Sequence, residues 1–396
     1  MSSAEQGSGR GPVTRAQPGY DLDAWRARIP LLRTFIPMNN CSQAPQTDLT
    51  RAAADRYLDS WNATGMDWDA WMEEVQLARQ QFARLINASA DEVAVCSSVS
   101  EAASAIASAI DFSGRRPKVV VTEAEFPTIG HVWLAQQKRG ARISWVPIRE
   151  GRIDPTEFDR ALDNQTAILS ASHGYYVNGA LQEPADLARR AHAHGSLLFL
   201  DAYQTLGAVP VDVKASGVDF LASGCLKYLM GLSGIAFLYV RRELIQSLTP
   251  AITGWFGRVN PFGFDAKTLD WSETASRFDT GTPPIINACV ARAGMQIITA
   301  VGAEKIRAWH EVLAQRLIDG GRARGFTLHG SPDTGRKTAN TAFVVADSHA
   351  VELAMRARGV IASARGPVIR LAPHFYSSLA DVDAALDALA AVSERT

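Results

Sequence analysis

The run Leu197-Leu198-Phe199-Leu200 is apolar without a break and stops at Asp201. A short apolar run closed by an acid is the pattern of a strand buried on both faces that delivers a carboxylate to the carboxyl edge of a sheet. Strands of that kind belong to parallel sheets covered by helices, so this stretch points to an α/β architecture. The next forty residues agree with it. Gln204 sits in the turn after the acid, and a second short strand is expected over 219–222. Lys227 lies in a loop bounded by Gly224, Gly231 and Gly234, and a third apolar strand is expected over 235–240.

Ligands of open α/β sheets bind at the carboxyl edge. An acid at a strand end and a lysine in a glycine-bounded loop then have a chemical reading. Pyridoxal 5'-phosphate needs a lysine amine for a Schiff base and an acid that keeps its pyridine nitrogen protonated, so that the ring acts as an electron sink. The plain alternative is a sheet edge with an exposed Asp and a surface Lys, and this stretch alone leaves both open.

The rest of the chain extends the pattern. Strands are expected over 93–96, 118–122, 142–147 and 166–171, separated by helices over 99–110, 128–138 and 184–193, with a short helical piece around Phe158. This alternation predicts a mostly parallel sheet with helices on both faces. Ahead of it, helices are expected over 21–29, from the Thr47 cap to about Trp61, and over 68–86, with an extended segment over 35–40. After about Arg277 the character changes to two long helices (287–301, 303–322) and then alternating strands and helices, which reads as a smaller α+β unit. The expected division is a polar, disordered 1–20 tail, a large domain over 46–278, and a small domain formed by 21–45 with 279–396. A chain of 396 residues has room for both domains.

Charge and cysteines narrow the function. A formal net charge of −1 gives no electrostatic case for nucleic acid, and no apolar run has membrane-spanning length. Cys41, Cys96, Cys225 and Cys289 are far apart with no CxxC pair, and the histidines form no ligand-spaced cluster. The expectation is a cytoplasmic, reducing location and no metal. At the expected sheet edge, Ser97, Ser98 and Ser100 flank a helix N-terminus, a natural phosphate seat if they are more than caps. Phe126 and Tyr176 come after strands that end on the same edge.

In this order, the segments DAYQTLGAVPVDV, CLKYLMGLSGIAFLYV, GWFGRVNPFGF, FDTGTPPI and IRLAPHFYSSLADV resemble class V aminotransferase-like pyridoxal-phosphate enzymes of fold type I. The resemblance runs from about Phe35 to the C-terminus and is nearest the kynureninase and cysteine-conjugate lyase branch. It implies that Lys227 carries the Schiff base and moves the substrate's α-proton. Asp201 would pair with the pyridinium nitrogen, Gln204 would bond the phenolic oxygen with Tyr176 nearby, and Phe126 would stack on the ring. Val99 through its N–H, Ser100 and Trp255 would hold the phosphate. Thr282 would reach the phosphate of a neighbouring subunit, implying a homodimer, and Arg370 would clamp the substrate α-carboxylate in a bidentate pair.

The departures are equally specific. No cysteine occurs between Gly325 and Arg370, against desulfurase chemistry. Gly224 stands where many relatives have a phosphate-binding Ser or Thr, which leaves Ser223 or Cys225 to compensate. Asn39-Asn40-Cys41-Ser42-Gln43 replaces the kynureninase GNSLG-like motif, and no early histidine matches the one kynureninases place over the substrate ring. The expected function is cleavage of a β-carbon bond in an α-amino acid, C–S or C–C, with a bulky β-substituent entering past Trp61, Trp68 and Trp71. The alternative is a class V aminotransferase, or a decarboxylating or deaminating relative of secondary metabolism.

Overall fold

The structure is a computed structural model that describes residues 17–393. Most of the expected tail lies outside the described residues. Tyr20, within the expected tail, is instead packed: its ring meets Phe375 edge-on and its hydroxyl donates to the Phe375 carbonyl at 2.6 Å.

In chain order the strands are β1 (Ile36–Pro37), β2 (Val93–Cys96), β3 (Lys118–Thr122), β4 (Arg142–Val146), β5 (Thr166–Ser172), β6 (Leu197–Asp201), β7 (Phe220–Gly224), β8 (Ala236–Val240), β9 (Thr341–Val344), β10 (Val360–Ile361), β11 (Ser363–Arg365) and β12 (Val368–Leu371). The central sheet has the order β2-β8-β7-β6-β5-β3-β4. Its pairs from β4 through β7 are parallel, while β8 runs antiparallel to both β7 and β2. The reason is local: the connection from Gly224 to Ala236 is too short for a crossover helix, so the chain must turn straight back.

Alternation along the strands builds two apolar layers. Val120, Leu169, Leu198, Leu200 and Leu221 face one core, which helices Trp68–Leu85, Pro184–Ala193 and Ile285–Val301 cover. Val119, Val121, Ile168, Phe199 and Ala222 face the other, covered by helices Val99–Ala109 and Pro127–Ala135. Registry pairs Ser172 with Asp201, and Gly224 with Ala236, so the ends of β5, β6 and β7 and the start of β8 share one edge.

Helix Ile285–Val301 differs from expectation. The sequence pattern groups it with the small domain, but its buried face joins the first core beside Ala78 and Phe82. An apolar helix announces that it is buried, not against what.

A smaller unit contains the three-stranded antiparallel sheet β11-β12-β9, backed by helices Ala303–Ala323, Ser348–Ala357 and Leu379–Ser393 around a third core. The N-terminal segment docks here. β1 pairs with β10, and the Asn40 N–H donates to the Ala372 carbonyl at 3.1 Å. The expected strand over 35–40 is shortened to β1. Among the described residues, no single helix is long and apolar enough to cross a membrane.

Candidate active site

A cavity of about 450 Å³ opens at the shared edge, between the central sheet and the β11–β12 hairpin. Val99, Ser100, Phe126, Tyr176, Asp201, Gln204, Lys227 and Arg370 all line it. Residues far apart in the sequence thus converge on one space.

Asp201 ends β6 and is buried, with one oxygen accepting the Tyr203 N–H at 2.8 Å. Burial raises its carboxyl above the usual range, and that bond and Lys227 pull it back down. Lys227 lies just after β7. Its Nζ is 4.1 Å from the centroid of the Tyr203 ring and 5.8 Å from that of Phe126. Burial lowers its ammonium to about 8, against an upward pull from Asp201 and with further downward pulls from Arg370 and Arg365. Two glycines place the lysine loop. A Cβ on Gly207, whose φ is +90°, would lie 2.2 Å from the Tyr228 carbonyl oxygen, and one on Gly294 would lie 2.2 Å from that of Leu229. The segment after Lys227 is therefore pressed between a turn and a helix with no room for a methyl group.

The anion seat is the N-terminus of helix Val99–Ala109. Ser98 caps it, accepting the Glu101 N–H at 3.1 Å. Ser100 shares a hydrogen bond with Thr128 at 2.7 Å. First-turn N–H groups have no carbonyl partner within a helix, and the positive end of the dipole sits here. Gln204 donates to the Cys41 carbonyl at 3.0 Å, and Tyr176 meets Phe126 edge-on at 5.3 Å.

Arg370 is 1% exposed and heavily committed. It donates to the Tyr176 carbonyl at 2.7 Å, to Ser363 Oγ at 2.6 Å, to Ser42 Oγ at 3.0 Å and to the Ser363 carbonyl at 3.4 Å. A guanidinium has five N–H groups and four are in use, so a bidentate grip on a carboxylate requires one of these contacts to be released, and the one to Ser42 is the longer of the two serine-hydroxyl contacts.

Trp255, expected at the phosphate, does not line the cavity; Thr282, whose expected place is a neighbouring subunit's phosphate, does not line the cavity of its own chain. Trp255 stacks on Trp68 and Phe264, and Thr282 is exposed. Their segments nevertheless reach the anion seat: the Phe256 N–H donates to the Thr280 carbonyl, and the Thr280 hydroxyl donates to Glu101 at 2.7 Å. Among the described residues none of the three tryptophans expected at the entrance lines the cavity: Trp71 is buried against Tyr57, Trp68 packs against Trp255, and Trp61 is exposed outside it. Ser223 and Cys225 do not compensate for Gly224. Ser223 bonds the Gly224 carbonyl, and Cys225 is in the core. Tyr203 explains Gly224 instead: a Cβ there would lie 2.2 Å from Tyr203 Cζ, so the glycine makes room for the ring beside Lys227.

Sequence reasoning missed Tyr203, Ser42, Thr128 and Arg365, all in the cavity wall. It also passed over Glu125, which is 6% exposed behind the wall with one carboxylate oxygen unpartnered. Burial, then Asp201, raise its carboxyl well above the usual range. Tyr203 lies inside a motif with a clear signal, but no periodicity marks a side chain that packs on a glycine.

A family model described as aminotransferase class-V matches residues 41–370. The chain belongs to the class-V aminotransferase family. It is 35% identical over 371 residues to an uncharacterized aminotransferase, YcbU, of Bacillus subtilis, covering 93% of this chain and 97% of that protein. Over 288 residues it is 30% identical to a probable cysteine desulfurase of Methanothermobacter thermautotrophicus, 71% of each chain. Kynureninase of Pseudomonas fluorescens is 26% identical over 378 residues, 88% of each. The fold is that of a cysteine desulfurase from Thermococcus onnurineus, with TM-score 0.86 at 20% identity over 96% of this chain and 99% of that one. It is also that of the cystine C–S lyase C-DES, with TM-score 0.85 at 17% identity over 92% and 100%.

The class-V chain is thus an enzyme of fold type I whose cofactor is pyridoxal 5'-phosphate. The residues present fit that group, since a lysine with a lowered pKa, a buried acid at a strand end and a helix N-terminus face one cavity.

Proposed function

We propose that this enzyme cleaves a bond at the β-carbon of an α-amino acid, as a C–S or C–C lyase related to the kynureninase branch. The observation that carries it is Lys227, a base of pKa about 8 held in the cavity beside Asp201 and Arg370. At pH 7.5 roughly a quarter of such amines are neutral, against about one in a thousand for an ordinary lysine. When bound, the cofactor supplies an electron sink for charge developing at the substrate α-carbon. Asp201 keeps the ring nitrogen protonated, Arg370 orients the α-carboxylate once Ser42 yields, and Phe126 covers the ring. Lys227 Nζ takes the α-proton. For a C–S bond the sulfur would depart with its bonding pair and take a proton from the same amine, and water would then release pyruvate and ammonia; for a C–C bond water would add to the γ-carbonyl, the acyl group would leave as a carboxylic acid, and the bonding pair would stay on the β-carbon, which takes a proton to give alanine.

Desulfurase chemistry fits poorly. No cysteine lies between Gly325 and Arg370, and all four cysteines are buried and unpaired. Unpaired thiols also favour a cytoplasmic setting. Transamination is the second reading, supported by the relative named an aminotransferase. The partner in this reading is a second copy of the chain, whose Thr282 would reach the phosphate held at this chain's anion seat.

The test is product identity. The holoenzyme is given kynurenine, simple amino acids and cysteine S-conjugates, and products are read by mass spectrometry. Alanine or pyruvate with a released β-fragment supports the lyase. A keto acid that keeps the whole side chain moves the enzyme to transamination.

A further inference from the structure

Arg370 is not the only arginine in the cavity wall. Arg365 lines it too, from the other strand of the same hairpin. The register pairs Ser363 with Arg370 and Arg365 with Val368. Alternate residues of a strand share a face, so Arg365, Ser363, Val368 and Arg370 all lie on one side of the hairpin. The two arginines are diagonal neighbours, which places their Cα atoms about 7–8 Å apart. Val368 packs with Val177 beside Tyr175 and Tyr176, which fixes that side as the one facing the large domain.

Their environments are opposite. Arg370 is buried and bonded to Tyr176, Ser42 and Ser363. Arg365 is exposed, next to the Gly366–Pro367 tip, and its guanidinium has no hydrogen-bond or ion-pair partner among the described residues. A bare guanidinium in a ligand cavity presents a planar fork suited to a carboxylate or a similar oxyanion. The cavity's charges are otherwise assigned: Lys227 is the base, Asp201 serves the ring nitrogen, and Arg370 serves the α-carboxylate. One cation is left over at the mouth among the described residues.

We propose that Arg365 recognises a second anionic group, so that the substrate is an α-amino acid whose side chain ends in a carboxylate or comparable oxyanion. This rests on the reading of the cavity as an α-amino-acid site with Arg370 at its inner end. Arg365 is then a specificity residue that touches the distal end of the substrate and takes no part in proton transfer.

The test compares holoenzyme with the Arg365→Gln variant on isosteric pairs, S-carboxymethylcysteine against S-carbamoylmethylcysteine for β-cleavage and glutamate against glutamine for transamination. A second arm measures calorimetric binding of glutarate against butyrate, which needs no turnover. The wild type should favour the acidic member by about 10- to 100-fold in kcat/KM, the range expected of one charge-assisted contact. Arg365→Gln should bring the ratio to near one and abolish the preference for glutarate. Equal handling of acidic and neutral members by the wild type overturns the proposal. So does a variant that loses cofactor but keeps the selectivity, because Arg365 would then serve the phosphate. If no amino acid reacts, the functional reading fails, and the glutarate arm still decides the role of Arg365.

Discussion

The lysine is where folding and chemistry conflict. An ammonium held at about 8 rather than 10.5 opposes the fold, because the unfolded chain takes a proton that the cavity resists. Stability without cofactor therefore falls as pH drops from the unfolded value to the folded one, and below about 8 the penalty is constant. Lys227→Met removes it. After discounting for the lysine's partial solvent access, the variant should gain about 1–2 kcal/mol at pH 7 and little at pH 10, and should fail to capture pyridoxal phosphate. Urea unfolding at the two pH values decides: an equal or negative change at pH 7 would remove the claim that Lys227 is strained. Asp201 and Lys227 were legible because a strand that ends in an acid and a lysine between glycines are local signals. Tyr203 was not, because its pairing with Gly224 exists only once β6 and β7 are side by side. Arg365 was not, because a lone arginine in a three-residue strand is indistinguishable from a solvated one until its face is known.

At the level of elements, the loop carrying the lysine is held from outside. Helix Ile285–Val301 presents Gly294 to the Leu229 and Met230 carbonyls, and the turn after β6 presents Gly207 to Tyr228. Gly294 has ordinary helical backbone, so only the lack of a side chain matters there. Gly294→Ala should therefore move the loop rather than strain the helix. A methyl group forced into packed surroundings costs roughly 1–3 kcal/mol. The change should show as a lower urea midpoint and as a shift in the pH midpoint of cofactor capture away from that of the wild type. A variant with unchanged capture would mean that Lys227 is positioned by its own loop alone. The strands around this loop were legible from apolar runs, and the helices of the α/β region from alternation. The partner of the Ile285–Val301 helix was not, because burial on nearly every side carries no direction. β1 and β10 were obscure for a related reason: a two-residue pairing across the length of the chain leaves no periodic trace.

At the scale of the molecule, the cavity is built, but its anion seat is bordered by surface that no described residue covers. Val259, Phe262, Phe264 and Leu269 are 61%, 47%, 76% and 50% exposed in one loop region, close to Trp255 and in chain order just before exposed Thr282. Single exposed apolar residues need no explanation, but a contiguous group of this kind marks an interaction surface. A second copy is the occupant we propose, because it would also place Thr282 at the phosphate site of its neighbour. Phe264 makes ring contacts only with Trp255 and Phe262 among the described residues, so Phe264→Asp should leave the monomer folded. Sedimentation should find the wild type as a dimer and the variant largely as a monomer, with cofactor retention falling alongside the dimer fraction. Far-ultraviolet circular dichroism should be unchanged. A wild type that sediments as a monomer yet holds its cofactor would show that Val99, Ser100 and the helix dipole grip the phosphate unaided. A variant that stays dimeric but loses cofactor would place the dimer contact elsewhere and leave this loop with a direct part in binding.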